Sequence, residues 1–289
     1  MRDSIKLSSP ETKEFWEIPV LFEDGSLLAI NKPSGLSVSP DRDLPERPSL
    51  MKLLHAGIER GAPWAKQGAR EYLAQSHRLD TEASGVVLLA KSKAVLVVLM
   101  NYFGTGPRGR KFVALVQGEP AEKEFTQESK LAPHPARPGL MHVDAKRGKR
   151  STTLFAVRER FARWTLVECE MLTDRPHQVR AHLRYAGLPV VGDRLYGGKM
   201  LFLSRLKQDY RLKPNKTERP LIATPALHGE ALSLPHPVTG AAVRIEAAWP
   251  KDLTVAVKYL RRYPVGVGGG GYVPGSANLI PPGSGRTSS

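Results

Sequence analysis

The chain has 289 residues, 41% of them hydrophobic, so it holds one large domain or two smaller ones with a sizeable core. Its 43 Lys and Arg against 28 Asp and Glu leave a net charge of +15, which points to a polyanionic partner, nucleic acid before membrane. One cysteine, Cys169, excludes an internal disulfide and a zinc–thiolate cluster. The longest apolar runs fall short of a membrane span, and the N-terminus has no apolar signal segment, so a soluble, cytoplasmic protein is expected.

In chain order, residues 1–17 are polar and read as an N-terminal arm. "IPVLFEDGSLLAINKPSG" (18–35) reads as strand, Asp-Gly turn, strand and a Lys-Pro-Ser-Gly stop. A loop over 41–49 precedes helical apolar spacing at 50–60, which recurs at 93–103. "VVLLA" (86–90) and "KFVALVQG" (111–118) read as strands. Residues 119–150 are polar and basic, with three prolines close together, and read as a surface excursion. "STTLFAVRERF" and "RWTLVECEML" read as a second hairpin, with Cys169 on its inward face.

"TDRPHQVRAHLRYAG" (173–187) reads as a helix. Asp174 is its cap, Pro176 its first turn and Gly187 its stop; Val179, Leu183 and Ala186 form an apolar stripe, and Arg180 and Arg184 another face. Residues 199–219 carry seven basic and two acidic residues. Residues 226–250 read as a last pair of strands around a Pro-Val-Thr-Gly turn, and the Gly/Pro/Ser-rich stretch 265–289 as disordered. Strands scattered among helices without a βαβ rhythm predict an α+β fold.

Few of the chemical motifs are specific by themselves. "HRLDTEASG" (77–85) reads by spacing as a charged loop feeding a buried strand. "GTGPRGRK" (104–111) lacks the spacing of a phosphate-cradling loop, and suits either a flexible contact to a nucleic-acid backbone or a solvated turn. Ser84 has no Gly two residues before it and is not a nucleophile elbow. His177 and His182 are five apart and share no helix face, so no metal site is expected.

Three segments change this reading when taken together: "INKPSGL" (30–36), "HRLDTEASG" and "TDRPHQVRAHLRYAGLPVVGDRLYG" (173–197). In this order they resemble the RluA-type family of RNA pseudouridine synthases. Arg110–Gly118 and Leu227–Gly240 match two further motifs of that family. The resemblance runs from about Ile18 to Tyr263. It implies a catalytic domain over 18–264, built on a mixed, largely antiparallel central sheet with flanking helices and an active cleft across the sheet. It also implies isomerisation of uridine in rRNA or tRNA, by a monomer needing no cofactor and no metal. The reaction breaks the C1′–N1 bond, turns the base and joins C1′ to C5, which calls for one carboxylate near C1′. By the resemblance that carboxylate is Asp80, with Arg175 as its ion-pair partner. Phe112 and Val179 wall the flipped base, and Arg78 fills the gap it leaves. Arg78, Arg110, Lys111 and Arg180 are the expected RNA contacts.

Three positions depart from the family pattern. Phe112 stands in place of Tyr, Ala83 in place of Thr, and Asp174 in place of Gly. Asp174 is either a helix cap or a competitor of Asp80 for Arg175. Phe112 and Asp174 favour the alternative of an RNA-binding relative with impaired catalysis. Asp80 beside Glu82 leaves a nucleoside or glycoside hydrolase as the other rival.

Overall fold

The computed structural model describes residues 3–41, 44–68, 70–104, 109–213 and 215–264. The stretch 265–289, expected to be disordered, and Pro107 and Arg108 of the Gly-rich basic loop lie outside the described residues.

Short runs of strand formers between turn signals build one large sheet. Its strands are β1 (Ser4–Ser9), β2 (Glu14–Glu23), β3 (Leu27–Lys32), β4 (Ala74–Gln75), β5 (Ser84–Ala90), β6 (Arg110–Gln117), β7 (Glu124–Pro133), β8 (Met141–Val143), β9 (Lys149–Phe161), β10 (Trp164–Met171), β11 (Leu227–Pro235) and β12 (Ala242–Glu246). The spatial order is β1-β2-β3-β5-β11-β6-β10-β9-β7-β8, with β4 beside β5 and β12 beside β11. Every pairing is antiparallel except β5 with β11, which is parallel at Ser84–His228 and Gly85–Gly229. The helices are α1 (Leu50–Glu59), α2 (Pro63–Gln67), α3 (Lys93–Gly104), α4 (Gln178–Tyr185) and α5 (Lys251–Arg262). This is the α+β architecture with a mixed, largely antiparallel sheet that the resemblance implied. No helix among the described residues is long and apolar enough to cross a membrane.

The place of β5 at the centre of the sheet explains its run of apolar residues, Val86–Ala90. All seven of its residues are buried, because β3 and β11 flank it and helices cover its faces. Gly85 has φ +128°, and a Cβ there would meet the Gly229 backbone at 2.2 Å. Only glycine lets β5 and β11 approach this closely, directly after the charged loop 77–83. Cys169 is fully buried in β10, and burial pushes its thiol up from the ordinary range, which makes it an inert core residue.

Three sequence expectations need correction, and one helix was missed. The segment expected as an arm over 1–17 is, in its described residues from 3 on, part of the sheet: β1 and β2 form an antiparallel ladder, with Ile5, Leu7 and Ile18 buried. The polar residues that suggested an arm are the outward half of a period-two pattern. Residues 119–150 are not an excursion either, because β7 and β8 extend the sheet beyond β9. α4 begins at Gln178, so Asp174 is not its cap; the residue before the helix, His177, holds a left-handed conformation at φ 52°. Finally, α5 was not expected, although Leu253, Ala256, Val257 and Leu260 have helical spacing and are all buried.

Candidate active site

The loop 77–83 is held from beneath by the Lys-Pro-Ser-Gly turn after β3. The Lys32 ammonium is fully buried and donates to the carbonyls of Pro33, Leu36 and Thr81, at 2.8, 2.7 and 3.2 Å. Gly35 N donates to Thr81 O at 2.8 Å, and the Ser34 hydroxyl donates to Glu82 O. Burial pulls the Lys32 amine down to about 7, against the attraction of Asp80 and Glu82. The loop's first member, His77, is structural. Its Nε2 accepts from Leu88 N at 3.1 Å and its ring packs on Phe103. Burial, reinforced by Arg110, holds its pKa at about 3, so it stays neutral.

Asp80 faces a small cleft with Arg78, Leu79, Phe112, Arg175, His177 and Val179 among its lining. Its carboxylate is paired with Arg180, whose Nη1 lies 3.2 Å from Asp80 Oδ2 and 3.1 Å from Glu82 Oε2. Arg180 is itself clamped by Asp193, with Nε to Oδ2 at 2.7 Å and Nη2 to Oδ1 at 3.0 Å, and lies over the Tyr196 ring. Burial works against the charged guanidinium, but Asp193 first, then Asp80 and Glu82, outweigh it and raise its pKa further above the ordinary range. One fixed cation therefore serves a buried carboxylate, Asp193, and a cleft-facing one, Asp80. Among the described residues no three His, Cys, Asp or Glu side chains gather as a metal would require.

Asp80 thus meets Arg180, not Arg175 as expected. α4 starts late, so position 180 lies in its first turn and faces the sheet, while Arg175 stays in the loop ahead of it. Arg175 donates through Nη1 to Asp174 O, and its Nε has no partner among the described residues. Gln178 ties this loop down, accepting from Arg175 N and Thr173 Oγ1 and donating to Thr152 O and Thr153 Oγ1. Asp174 does not compete for Arg175; its carboxylate pairs with Arg110 at 2.9 Å.

Known proteins resemble this chain in sequence and in fold. A sequence profile described as RNA pseudouridylate synthase matches residues 26–185. The chain is 33% identical over 243 residues to the ribosomal large subunit pseudouridine synthase C of Salmonella typhi, covering 84% of this chain and 70% of that protein. The chain belongs to the RNA pseudouridylate synthase family. A second relative, the ribosomal large subunit pseudouridine synthase D of Xylella fastidiosa, is 32% identical over 250 residues, with 84% and 70% covered. The solved structure of human RNA pseudouridylate synthase domain containing 4 superposes with TM-score 0.61 at 21% identity, over 84% of this chain and 92% of that one. That of human RNA pseudouridylate synthase domain containing 1 gives 0.55 at 21% identity, over 86% and 96%. These two likenesses concern the fold.

Within this pseudouridylate synthase frame the sequence-expected residues divide. Asp80, Arg78, Phe112 and Val179 line one cleft, and Arg78 is exposed at its rim. Two expected RNA contacts are corrected by burial. Arg180 is 1% exposed, and Arg110 is 3% exposed between Asp174 and the Phe103 ring, so neither guanidinium reaches a phosphate. Lys111 alternates with Phe112 along β6, points away from the cleft and pairs with Glu168. Sequence reasoning missed Lys32, Asp193 and Tyr196. The last two stand inside the "GDRLYG" run that carried part of the resemblance, and an Asp that close to an Arg-bearing helix was the available signal.

Phe112 is 6% exposed and lies against the Asp80 cleft without a hydroxyl. Phe112→Leu is expected to lower activity by removing a stacking interaction worth ~1–3 kcal/mol. Phe112→Tyr is expected to keep or raise it. Steady-state rates on one RNA substrate check both.

Proposed function

We propose that this synthase isomerises a uridine of large-subunit ribosomal RNA, with Asp80 as the carboxylate that acts at the ribose. The family shows the activity, uridine to pseudouridine in RNA. The choice of ribosomal over transfer RNA rests on the two relatives whose names state it. The observation that carries Asp80 is its ion pair with a buried, doubly clamped Arg180, beside a cleft that Leu79, Phe112 and Val179 wall on its apolar side. Isomerisation breaks C1′–N1, makes C1′–C5, releases the C5 proton and protonates N1, with no net redox change. The step needs a carboxylate at C1′ or C2′, a flat apolar wall for the free base, and a filler for the vacated stack. Asp80, Phe112 with Val179, and the exposed Arg78 supply these in one place.

The impaired-catalysis alternative loses its argument from Asp174, whose carboxylate is engaged by Arg110 and leaves the Asp80–Arg180 pair alone. The hydrolase alternative, which rested on Asp80 and Glu82 alone, gives way to the family, whose activity is isomerisation of uridine in RNA. Tritium release from C5-labelled large-subunit RNA, compared with labelled transfer RNA, tests the reading. Release from the ribosomal transcript is expected; release from transfer RNA alone would replace the substrate.

RNA affinity, in this reading, comes from basic side chains outside the cleft. Lys146, Arg147, Lys149 and Arg150 are exposed on and before β9, and Arg211, Lys213, Lys216 and Arg219 are exposed in the 199–219 segment. Neutralising the 146–150 group is expected to weaken binding and to flatten the plot of log K against log salt by ~0.7 for each phosphate that group neutralises in the wild type. An unchanged slope in a salt titration would remove that patch from the RNA footprint.

A further inference from the structure

His177 stands out in the cleft wall for three independent reasons. It lines the cleft that Asp80 faces. It holds a left-handed backbone, φ 52° and ψ 21°, immediately before α4. A non-glycine residue there is strained and persists only where its surroundings fix it; next to it the Gln178 side chain ties the loop back by accepting from Arg175 N. Its ring is also held from behind by a buried tyrosine: Nδ1 lies 3.1 Å from the Tyr196 hydroxyl.

That contact decides the tautomer. The Tyr196 oxygen already accepts from Met141 N at 3.0 Å, and Tyr196 is 4% exposed. Its own proton needs an acceptor, and His177 Nδ1 is the group in reach. Burial lowers the His177 pKa from its ordinary value; Asp80 pulls it up and Arg180 opposes that, and the net direction keeps the ring neutral at pH 7. A neutral ring that accepts at Nδ1 carries its proton at Nε2. That N–H has no partner among the described residues. It is a fixed donor and, being already protonated, cannot take the C5 proton.

Uracil offers carbonyl oxygens at both sides of its ring. We propose that His177 Nε2–H donates to a carbonyl oxygen of the uracil held in the Asp80 cleft, and that Tyr196 is the positioning residue that keeps the proton on that nitrogen. The inference rests on the reading that the target base occupies this cleft. It makes His177 a specificity residue, because a donor in that position matches a carbonyl and repels an amino group at the same ring edge.

Two substitutions separate recognition from a structural role. His177→Asn suits the left-handed backbone, and its amide oxygen still accepts from Tyr196, but the side chain is too short to present the outer N–H. His177→Gln gives up the Tyr196 contact and places an amide N–H where Nε2 stood. Recognition predicts that His177→Asn loses about tenfold in kcat/KM, the scale of one missing hydrogen bond, and that His177→Gln stays within about threefold of wild type. A structural role predicts the reverse order. Any result in which Gln does not outperform Asn, with both variants folded by circular dichroism, overturns the proposal. A second readout is RNA carrying 2-thiouridine or 4-thiouridine at the target. One of these is expected to slow the wild type and to have no added effect in His177→Asn; equal slowing in both proteins also overturns it. Asp80→Asn is run in the same assay. If that variant is active, the cleft reading has failed rather than the donor assignment.

Discussion

Asp80→Asn is expected to abolish pseudouridine formation while RNA binding and the fold persist. Asn keeps the shape of the side chain but neither attacks C1′ nor removes a ribose proton. Loss of a group that reacts directly removes most of the rate enhancement, so turnover should fall by more than ~10⁴-fold. The fold is expected to survive, because Asp80 is not the anchor of the buried network. Arg180 keeps its bidentate bond to Asp193 and its contact with Glu82. The melting temperature should therefore stay within ~4 °C of wild type. RNA affinity, measured by filter binding, should hold or rise, since a negative charge is removed from a site that receives a polyanion.

Arg180 is expected to fail differently, because its removal leaves three carboxylates, Asp80, Glu82 and Asp193, without their shared cation. Arg180→Met strands Asp193, which is fully buried, and should destabilise the protein by ~3–5 kcal/mol, the scale for breaking a buried pair. The variant should unfold at markedly lower denaturant. Arg180→Lys separates stability from catalysis. An ammonium retains the charge but cannot bridge both Asp193 oxygens and still reach Asp80. Each missing charge-assisted hydrogen bond is worth ~1.5–3 kcal/mol, so kcat should drop by roughly 10- to 100-fold with KM little changed. If Arg180→Lys keeps the wild-type kcat, the fork geometry is irrelevant and Arg180 acts only as a charge in the core.

Much of the fold was legible because its central elements obey simple periods. β5 and β6 contain unbroken apolar runs, Val86–Ala90 and Phe112–Val116, and α1 and α3 have helical spacing close to the observed bounds. β1 was not legible by average polarity, since of its inward residues Ile5, Leu7 and Ser9 only two are apolar, while Ser4, Lys6 and Ser8 alternate with them. The site was legible as a set of motifs but not as a set of pairs. Arg175 and Arg180 lie five residues apart in one run, and only the start of α4 decides which one meets Asp80. That start depends on His177 in a left-handed conformation and on Gln178 bonding back into the loop, which are tertiary facts. The same holds for Arg110. A basic residue at the start of a strand, next to a Gly-rich basic loop, reads as a phosphate contact until the fold sets Asp174 and Phe103 around it.

The central claim is that this chain makes pseudouridine in large-subunit ribosomal RNA through Asp80. A pseudouridine map of that RNA tests it most directly, taken from cells lacking the gene and from the same cells supplied with either the wild-type or the Asp80→Asn chain. The account predicts that specific modified positions disappear on deletion, return with the wild type and stay absent with Asp80→Asn. Full restoration by Asp80→Asn, or a map unchanged by deletion, would contradict it.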